Sequence, residues 1–243
     1  MAFNFFKKKT ADEVPETLQH KINLGKEQVN KICLTKGISD KAKVVLCLDY
    51  SGSMEYEYSS GRVQQVIEKA LPIALQFDDD GTFEVLTFDT SVKWRADCSM
   101  NNVYNYVSKN ISGGMGGTRY SNPIKEIVKK APDNIPTYVI FITDGEPSDR
   151  EESTVEIIKA SDKPVFWKFV GVGSCEFDFL KKLDDMTGRT VDNADFFEVD
   201  NLDDITYESL MEEYPGWLDA IKSKGILKEG CGKFALTDHQ GYE

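Results

Sequence analysis

Three runs of apolar, β-branched and aromatic residues carry almost no polar alternation: Lys43–Leu48 (KVVLCL), Thr137–Thr143 (TYVIFIT) and Val165–Val172 (VFWKFVGV). A strand with one wet face alternates apolar and polar side chains. Continuous runs therefore predict strands covered on both faces, as in a parallel sheet between helices. The intervening segments supply the helices. Val63, Val66, Ile67, Ala70, Leu71, Ala74 and Leu75 recur at helical spacing within Gly61–Phe77, although Pro72 predicts a kink or break there. Further helices are expected over Asn101–Ile111, Asn122–Lys130 (with Pro123 in its first turn), Glu151–Ser161 and Phe177–Met186, and over Ile205–Lys222 with an interruption at Pro215-Gly216.

Thr82–Phe88 and Ser91–Arg95 are separated only by Asp89-Thr90, which forces an antiparallel hairpin, and Phe196–Val199 makes a sixth strand. Right-handed crossovers put the hairpin on one side of the first strand and the three later strands on the other. The expected fold class is α/β: a doubly wound, mostly parallel six-stranded sheet with one antiparallel edge strand and helices on both faces. The strand order reverses beside Lys43–Leu48, and ligands in such sheets bind beyond the carboxyl ends of the strands flanking the reversal.

Those ends carry chemistry. The first strand runs into Asp49-Tyr50-Ser51-Gly52-Ser53, and the strand opposite ends in Thr143-Asp144-Gly145. Between them the cluster Gly113-Gly114-Met115-Gly116-Gly117 presents Thr118. Gly52 is read as permitting the turn. Asp49, Ser51, Ser53, Thr118 and Asp144 form an all-oxygen set that suits a hard cation, Mg²⁺ or Mn²⁺. Two carboxylates nearly neutralise a divalent ion while hydroxyls leave its field largely unquenched, so the ion would accept a further carboxylate from outside. Helix capping explains these acids less well. The first predicted helix starts at Gly61, too far from Asp49, and Ser148 or Asp149 is better placed than Asp144 to cap the helix at Glu151.

Composition narrows the rest. The 243 residues favour one large domain, and 29 basic against 41 acidic residues give a net charge of −12. That balance argues against nucleic acid or an anionic membrane as the main partner. No apolar run is long enough for a transmembrane span, and Met1–Thr10 is not followed by the apolar stretch of a secretory signal. Cys33, Cys47, Cys98, Cys175 and Cys231 are odd in number and dispersed, giving neither a disulfide framework nor a thiolate zinc site. Cys47 reads as a small core residue. The only histidines, His20 and His239, lie near the ends, so no catalytic triad is expected. A cytoplasmic protein with no catalytic residues follows. Residues 1–42 are an expected extension, with Ala11–Lys36 helical or irregular and packed on the main domain. The domain itself is expected over 43–224 and a tail over 225–243. Asp78-Asp79-Asp80-Gly81 reads as a solvated loop, while the aromatics of Phe166-Trp167-Lys168-Phe169, and Trp217, read as core.

The set Asp49-x-Ser51-x-Ser53, Thr118 and Asp144 resembles the metal-ion-dependent adhesion site of von Willebrand factor type A domains, over about Lys43 to Lys222. Phe77–Gly81, Gly116–Tyr120 and Pro164–Gly173 look like the bacterial tellurium-resistance and stress-response branch, and copines carry a similar domain. The resemblance implies a Rossmann-like fold. Ser51 and Ser53 would ligate the ion directly, Thr118 directly or through water according to conformational state, and Asp49 and Asp144 directly or through water. A partner's acidic side chain would fill the open position. The function implied is a metal-dependent protein-interaction module in toxic-anion resistance or stress response. The alternative is a Mg²⁺-dependent phosphoryl-transfer or hydrolytic enzyme using the same cleft. An aspartyl-phosphate enzyme would need an acid where Ser51 stands, no P-loop lysine follows the glycines, and those glycines do not directly follow the first strand.

Overall fold

The apolar runs are interior strands in a computed structural model of the chain, which describes residues 13–78, 80–183, 186–228, 231–234 and 236. In chain order the elements begin with α1 (Glu16–Lys36), β1 (Lys43–Asp49), a 3₁₀ turn (Gly52–Met54), α2 (Glu55–Ser59) and α3 (Arg62–Phe77). There follow β2 (Glu84–Phe88), β3 (Val92–Trp94), α4 (Tyr106–Asn110), α5 (Ser121–Lys130), β4 (Thr137–Thr143) and α6 (Arg150–Ala160). The last elements are β5 (Val165–Val172), α7 (Asp178–Lys181), β6 (Ala194–Val199), a 3₁₀ turn (Leu202–Asp204), α8 (Tyr207–Leu210) and α9 (Tyr214–Ser223). The sheet order is β3-β2-β1-β4-β5-β6. Only β2 and β3 pair antiparallel. This is the expected doubly wound sheet, reversing between β1 and β4.

Alternate residues of β1 feed two cores. Val44, Leu46 and Leu48 join the cluster holding Ile22 and Val29 of α1, Leu71 of α3 and Trp217 of α9. Val45 and Cys47 join Ile124 and Ile127 of α5 and Ile157 of α6 on the other face. Burial on both sides is why β1 and its neighbours need no polar alternation.

Several boundaries differ from expectation, each for a local reason. α3 runs unbroken through Pro72. The proline ring is wedged against α1, where a Cβ added to Gly25 would come within 2.8 Å of its Cγ and 3.0 Å of the Tyr207 ring. Tertiary packing there outweighs the lost helical hydrogen bond. Gly25→Ala should therefore destabilise the protein by about 1–3 kcal/mol despite its better helix propensity, because the added Cβ meets both the Pro72 ring and the Tyr207 side chain. Urea denaturation measures this, and an unchanged or raised midpoint would refute it.

The helix expected over Asn101–Ile111 shrinks to α4. Asn102 accepts from the Ser99 amide at 2.8 Å and donates to the Asp97 carbonyl at 2.9 Å, and Asn105 takes a left-handed φ of 57°. Such side-chain bonds to backbone compete with helix formation. Phe177–Met186 likewise reduces to α7, with Phe177 outside it as an N-cap at φ 49°; residues 184–185 lie outside the described set. Pro215 and Gly216 do not interrupt the last helix but sit in the first turn of α9, and the break falls before them, at Met211–Glu213. α1 is a regular helix packed on α3. The acidic triplet after Phe77 includes Asp79, which is outside the described residues, as are Met1–Thr10 and His239.

β5 holds a residue that the core reading of its aromatics passed over. Lys168 is 1% exposed, its ammonium paired with Asp195 of β6 and lying 4.9 Å from the Phe197 ring centroid.

Candidate metal centre

Asp49 ends β1 as a fully buried carboxylate whose oxygens are both engaged. Oδ1 accepts from the Ser51 amide at 2.8 Å and Oδ2 from the Thr143 hydroxyl at 2.7 Å. The first bond turns the chain out of the strand, and the second ties the ends of β1 and β4 together. Gly52 is not needed for that turn. It has no left-handed φ, and a Cβ there would meet nothing within 4 Å, so the expected conformational role is withdrawn.

From Asp49 a chain of contacts reaches the surface. Ser51 Oγ lies 3.1 Å from Ser53 Oγ, and Ser53 donates to Asp144 Oδ1 at 2.8 Å. The structure thus gathers Asp49, Ser51, Ser53 and Asp144 into one cluster at the order reversal. Thr118 is not a link in that chain, but its backbone is fixed beside it. Its carbonyl accepts from the Ser148 amide and hydroxyl at 2.9 and 2.8 Å. Gly116 bridges Ser51 and accepts from the Gly52 amide at 3.1 Å. Gly116 has to be glycine, because a Cβ would stand 2.9 Å from Asp89 Oδ2.

Sequence reading missed the supports of this cluster. In the sequence Thr143 reads only as the end of an apolar strand. Tyr120, fully buried, donates to the Gly145 carbonyl and lies 3.0 Å from Thr143 Oγ1. Asp149 begins α6 as expected, yet its carboxylate accepts the Tyr120 and Ser121 amides at 3.0 and 3.1 Å, anchoring α5 and the end of the glycine loop. The spacing of Asp149 from the glycine cluster carries no signal of this, because the bonds cross between two helices.

Electrostatics make the cluster poised for a positive charge. Burial pushes the Asp49 carboxyl up to about 6, against the bonds from Thr143 and Ser51 that favour its ionised form. Burial also raises Asp144, opposed by the Ser53 bond. A cation would relieve both penalties. Oxygens on adjacent corners of an octahedron around Mg²⁺ at about 2.1 Å stand roughly 3.0 Å apart. The 3.1 and 2.8 Å separations along Ser51, Ser53 and Asp144 match that spacing, so the donor set fits a small hard ion. Among the described residues no group of three or more His, Cys, Asp or Glu side chains is placed to hold a metal, so binding here would depend on the hydroxyls. A separate cavity of about 660 Å³ opens between α1 and Ile205–Glu208, lined in part by Lys31, Lys36 and Lys69, away from these carboxylates.

Comparison with known proteins follows this geometry. A family model described as the vWA found in the TerF C terminus matches residues 41–227. The uncharacterized protein YcbR of Bacillus subtilis is 37% identical over 223 residues, covering 86% of this chain and 87% of its own length. Copine-E of Dictyostelium discoideum is 39% identical over 74 residues, 28% of this chain and 13% of that protein. The crystal structure of the ArnB paralog VWA2 from Sulfolobus acidocaldarius aligns with a TM-score of 0.49 at 17% identity, over 73% of this chain and 44% of that one. Helix α1 lies outside the family match. Among the described residues no helix is long and apolar enough to cross a membrane.

Proposed function

The chain belongs to the von Willebrand factor A family, in the branch found at the TerF C terminus, and from that membership we propose that it is a metal-dependent protein-interaction module. Asp49, Ser51, Ser53, Thr118 and Asp144 hold one divalent cation, Mg²⁺ or Mn²⁺, and the ion's open position takes an Asp or Glu carboxylate from a protein partner. The observation that carries this reading is the Ser51–Ser53–Asp144 oxygen chain, spaced like neighbouring corners of an octahedron and running outward from the buried Asp49 to the half-buried Asp144. When bound, the ion supplies a positive centre that attracts an acidic side chain. The chain's own residues position it: Thr143 and the Ser51 amide orient Asp49, while Ser148 and Asp149 fix the segment around Thr118.

The interaction domain spans 43–224, with 1–42 as an appended extension and 225–243 as a tail. The setting is cytoplasmic resistance to toxic anions such as tellurite, or a related stress response; the free thiols at Cys33, Cys47 and Cys98 suit a reducing compartment. Binding rather than turnover is favoured because, among the described residues, β1 brings no activated thiol to the cluster. Cys47, the nearest thiol along β1, is buried and its pKa raised.

Titration calorimetry with Mg²⁺ and Mn²⁺ tests the proposal. Wild type should bind one ion, and Ser51→Ala/Ser53→Ala should weaken binding by at least about a hundredfold, since two direct ligands go where one outer-shell loss alone costs ten- to a hundredfold. Equal binding by both proteins would overturn the assignment. Mg²⁺-dependent phosphatase turnover abolished by Asp144→Ala would favour an enzyme instead.

A further inference from the structure

Beside the metal cluster lies a cavity of about 490 Å³ whose wall includes Tyr50, Gly52, Glu55, Tyr58, Ile111 and Met115. Its chemistry is set by how the fold uses these groups. The Tyr50 hydroxyl donates to the Gly113 carbonyl at 3.1 Å and the Tyr58 hydroxyl to the Asp49 carbonyl at 2.9 Å. The two rings pack edge to face with centroids 5.0 Å apart. With both hydroxyls engaged inside the protein, the tyrosines offer a visitor the ring surface left beside the Arg95 guanidinium, which lies 5.8 Å from the Tyr50 centroid. Ile111 and Met115 extend that character, and the exposed Glu55 adds the one carboxylate.

The approach to this cavity is kept bare. Gly52 stands between Ser51 and Ser53, and Gly145 follows Asp144. Neither has a left-handed φ, and a Cβ on either would meet nothing within 4 Å. Neither backbone conformation nor internal packing requires glycine at these positions, unlike Gly116. What their bareness provides is room for another chain to come close on both sides of the cluster.

Together the geometry points to a partner segment that places an acidic side chain on the metal and an adjacent large apolar side chain, aromatic or aliphatic, in the Tyr50–Tyr58–Met115 cavity. This rests on the metal-dependent reading and specifies the partner for it. Two charges bear on the choice: Arg95 is engaged by the Asn110 and Ser112 carbonyls and the Tyr50 ring, while the exposed Glu55 of the cavity wall meets a second acid with a like charge, which disfavours consecutive acids.

Tetrapeptides test this directly. In saturating Mg²⁺, Ac-Gly-Phe-Asp-Gly-NH₂ or Ac-Gly-Asp-Phe-Gly-NH₂ should bind at least about tenfold more tightly than Ac-Gly-Gly-Asp-Gly-NH₂, as expected for burying a phenyl ring. The Gly-Glu-Asp-Gly peptide should bind more weakly than the Gly-Gly-Asp-Gly peptide, and Glu55→Lys should reverse that order. Magnesium affinity of each protein, measured in parallel by calorimetry, separates the two levels of the argument. If Mg²⁺ binds but the peptides bind equally or not at all, or Glu55→Lys leaves their order unchanged, the cavity assignment is wrong and the metal site stands. If Mg²⁺ itself does not bind, the metal reading fails and takes this one with it.

Discussion

Asp49→Asn is expected to make the metal-free protein more stable at pH 8, by about 3 kcal/mol, while abolishing divalent-ion binding. The sign follows from linkage. Burial lifts the folded pKa of Asp49 to about 6, from an ordinary value of 3.8. A group whose pKa is raised on folding contributes stability that is complete below the unfolded value and disappears as pH climbs through the folded one. That difference corresponds to roughly 3 kcal/mol of penalty for the ionised native protein above pH 6. The amide of asparagine removes the charge, keeps an acceptor for the Ser51 amide and can donate to Thr143 Oγ1, which has the Gly145 carbonyl 3.3 Å away as an alternative acceptor. The advantage of the variant should shrink as pH falls from 6 towards 4, where the wild-type carboxyl is protonated in the folded state. Magnesium at a hundred times its Kd should restore about 2.7 kcal/mol to wild type alone. Urea denaturation at pH 8 and pH 4.5, with EDTA or with Mg²⁺, reads all four quantities. A variant less stable than wild type in EDTA at pH 8 would contradict both the burial argument and the cluster's proposed purpose.

Asp195→Ala, away from the candidate metal centre, should cost about 3–5 kcal/mol. Lys168 is enclosed in β5 and its ammonium pairs with Asp195, so removing the carboxylate leaves an interior charge without that ion pair, beside the Phe197 ring. The converse substitution behaves differently. Lys168→Met in the Asp195→Ala background should recover most of the loss, because a flexible apolar chain of similar length fills the slot without a charge. Denaturant midpoints of the two variants decide it. A double variant no more stable than Asp195→Ala alone would show that the pair is not the source of the cost.

Lys168 also marks where sequence reading ends. A lysine inside VFWKFVGV does not disturb the apolar run that defines β5, and its partner lies on the next strand across a crossover, so no local pattern connects them. The sheet itself was legible because a strand covered on both faces has one composition, and the hairpin at Asp89-Thr90 left only one way to place the antiparallel edge. The clustering of Asp49, Ser51, Ser53 and Asp144 was legible because strand order alone brings the ends of β1 and β4 side by side. Its supports were not. Tyr120 and Thr143 look like ordinary core and strand residues until the fold aims their hydroxyls at Asp49 and Gly145. Helix limits failed where side chains bond to nearby backbone, as at Ser99–Asn105, or where packing retains a proline, as at Pro72.

The tie between Gly116 and Ser51–Gly52, with Ser148 clasping Thr118, means that the candidate site is stitched from three stretches spread over nearly a hundred residues of chain. No fragment can display it. A polypeptide lacking β4 and the turn after it loses the bonds from Thr143 to Asp49, from Ser53 to Asp144 and from Ser148 to Thr118. On the proposed function, a partner that engages this face also reads whether the central sheet has been completed.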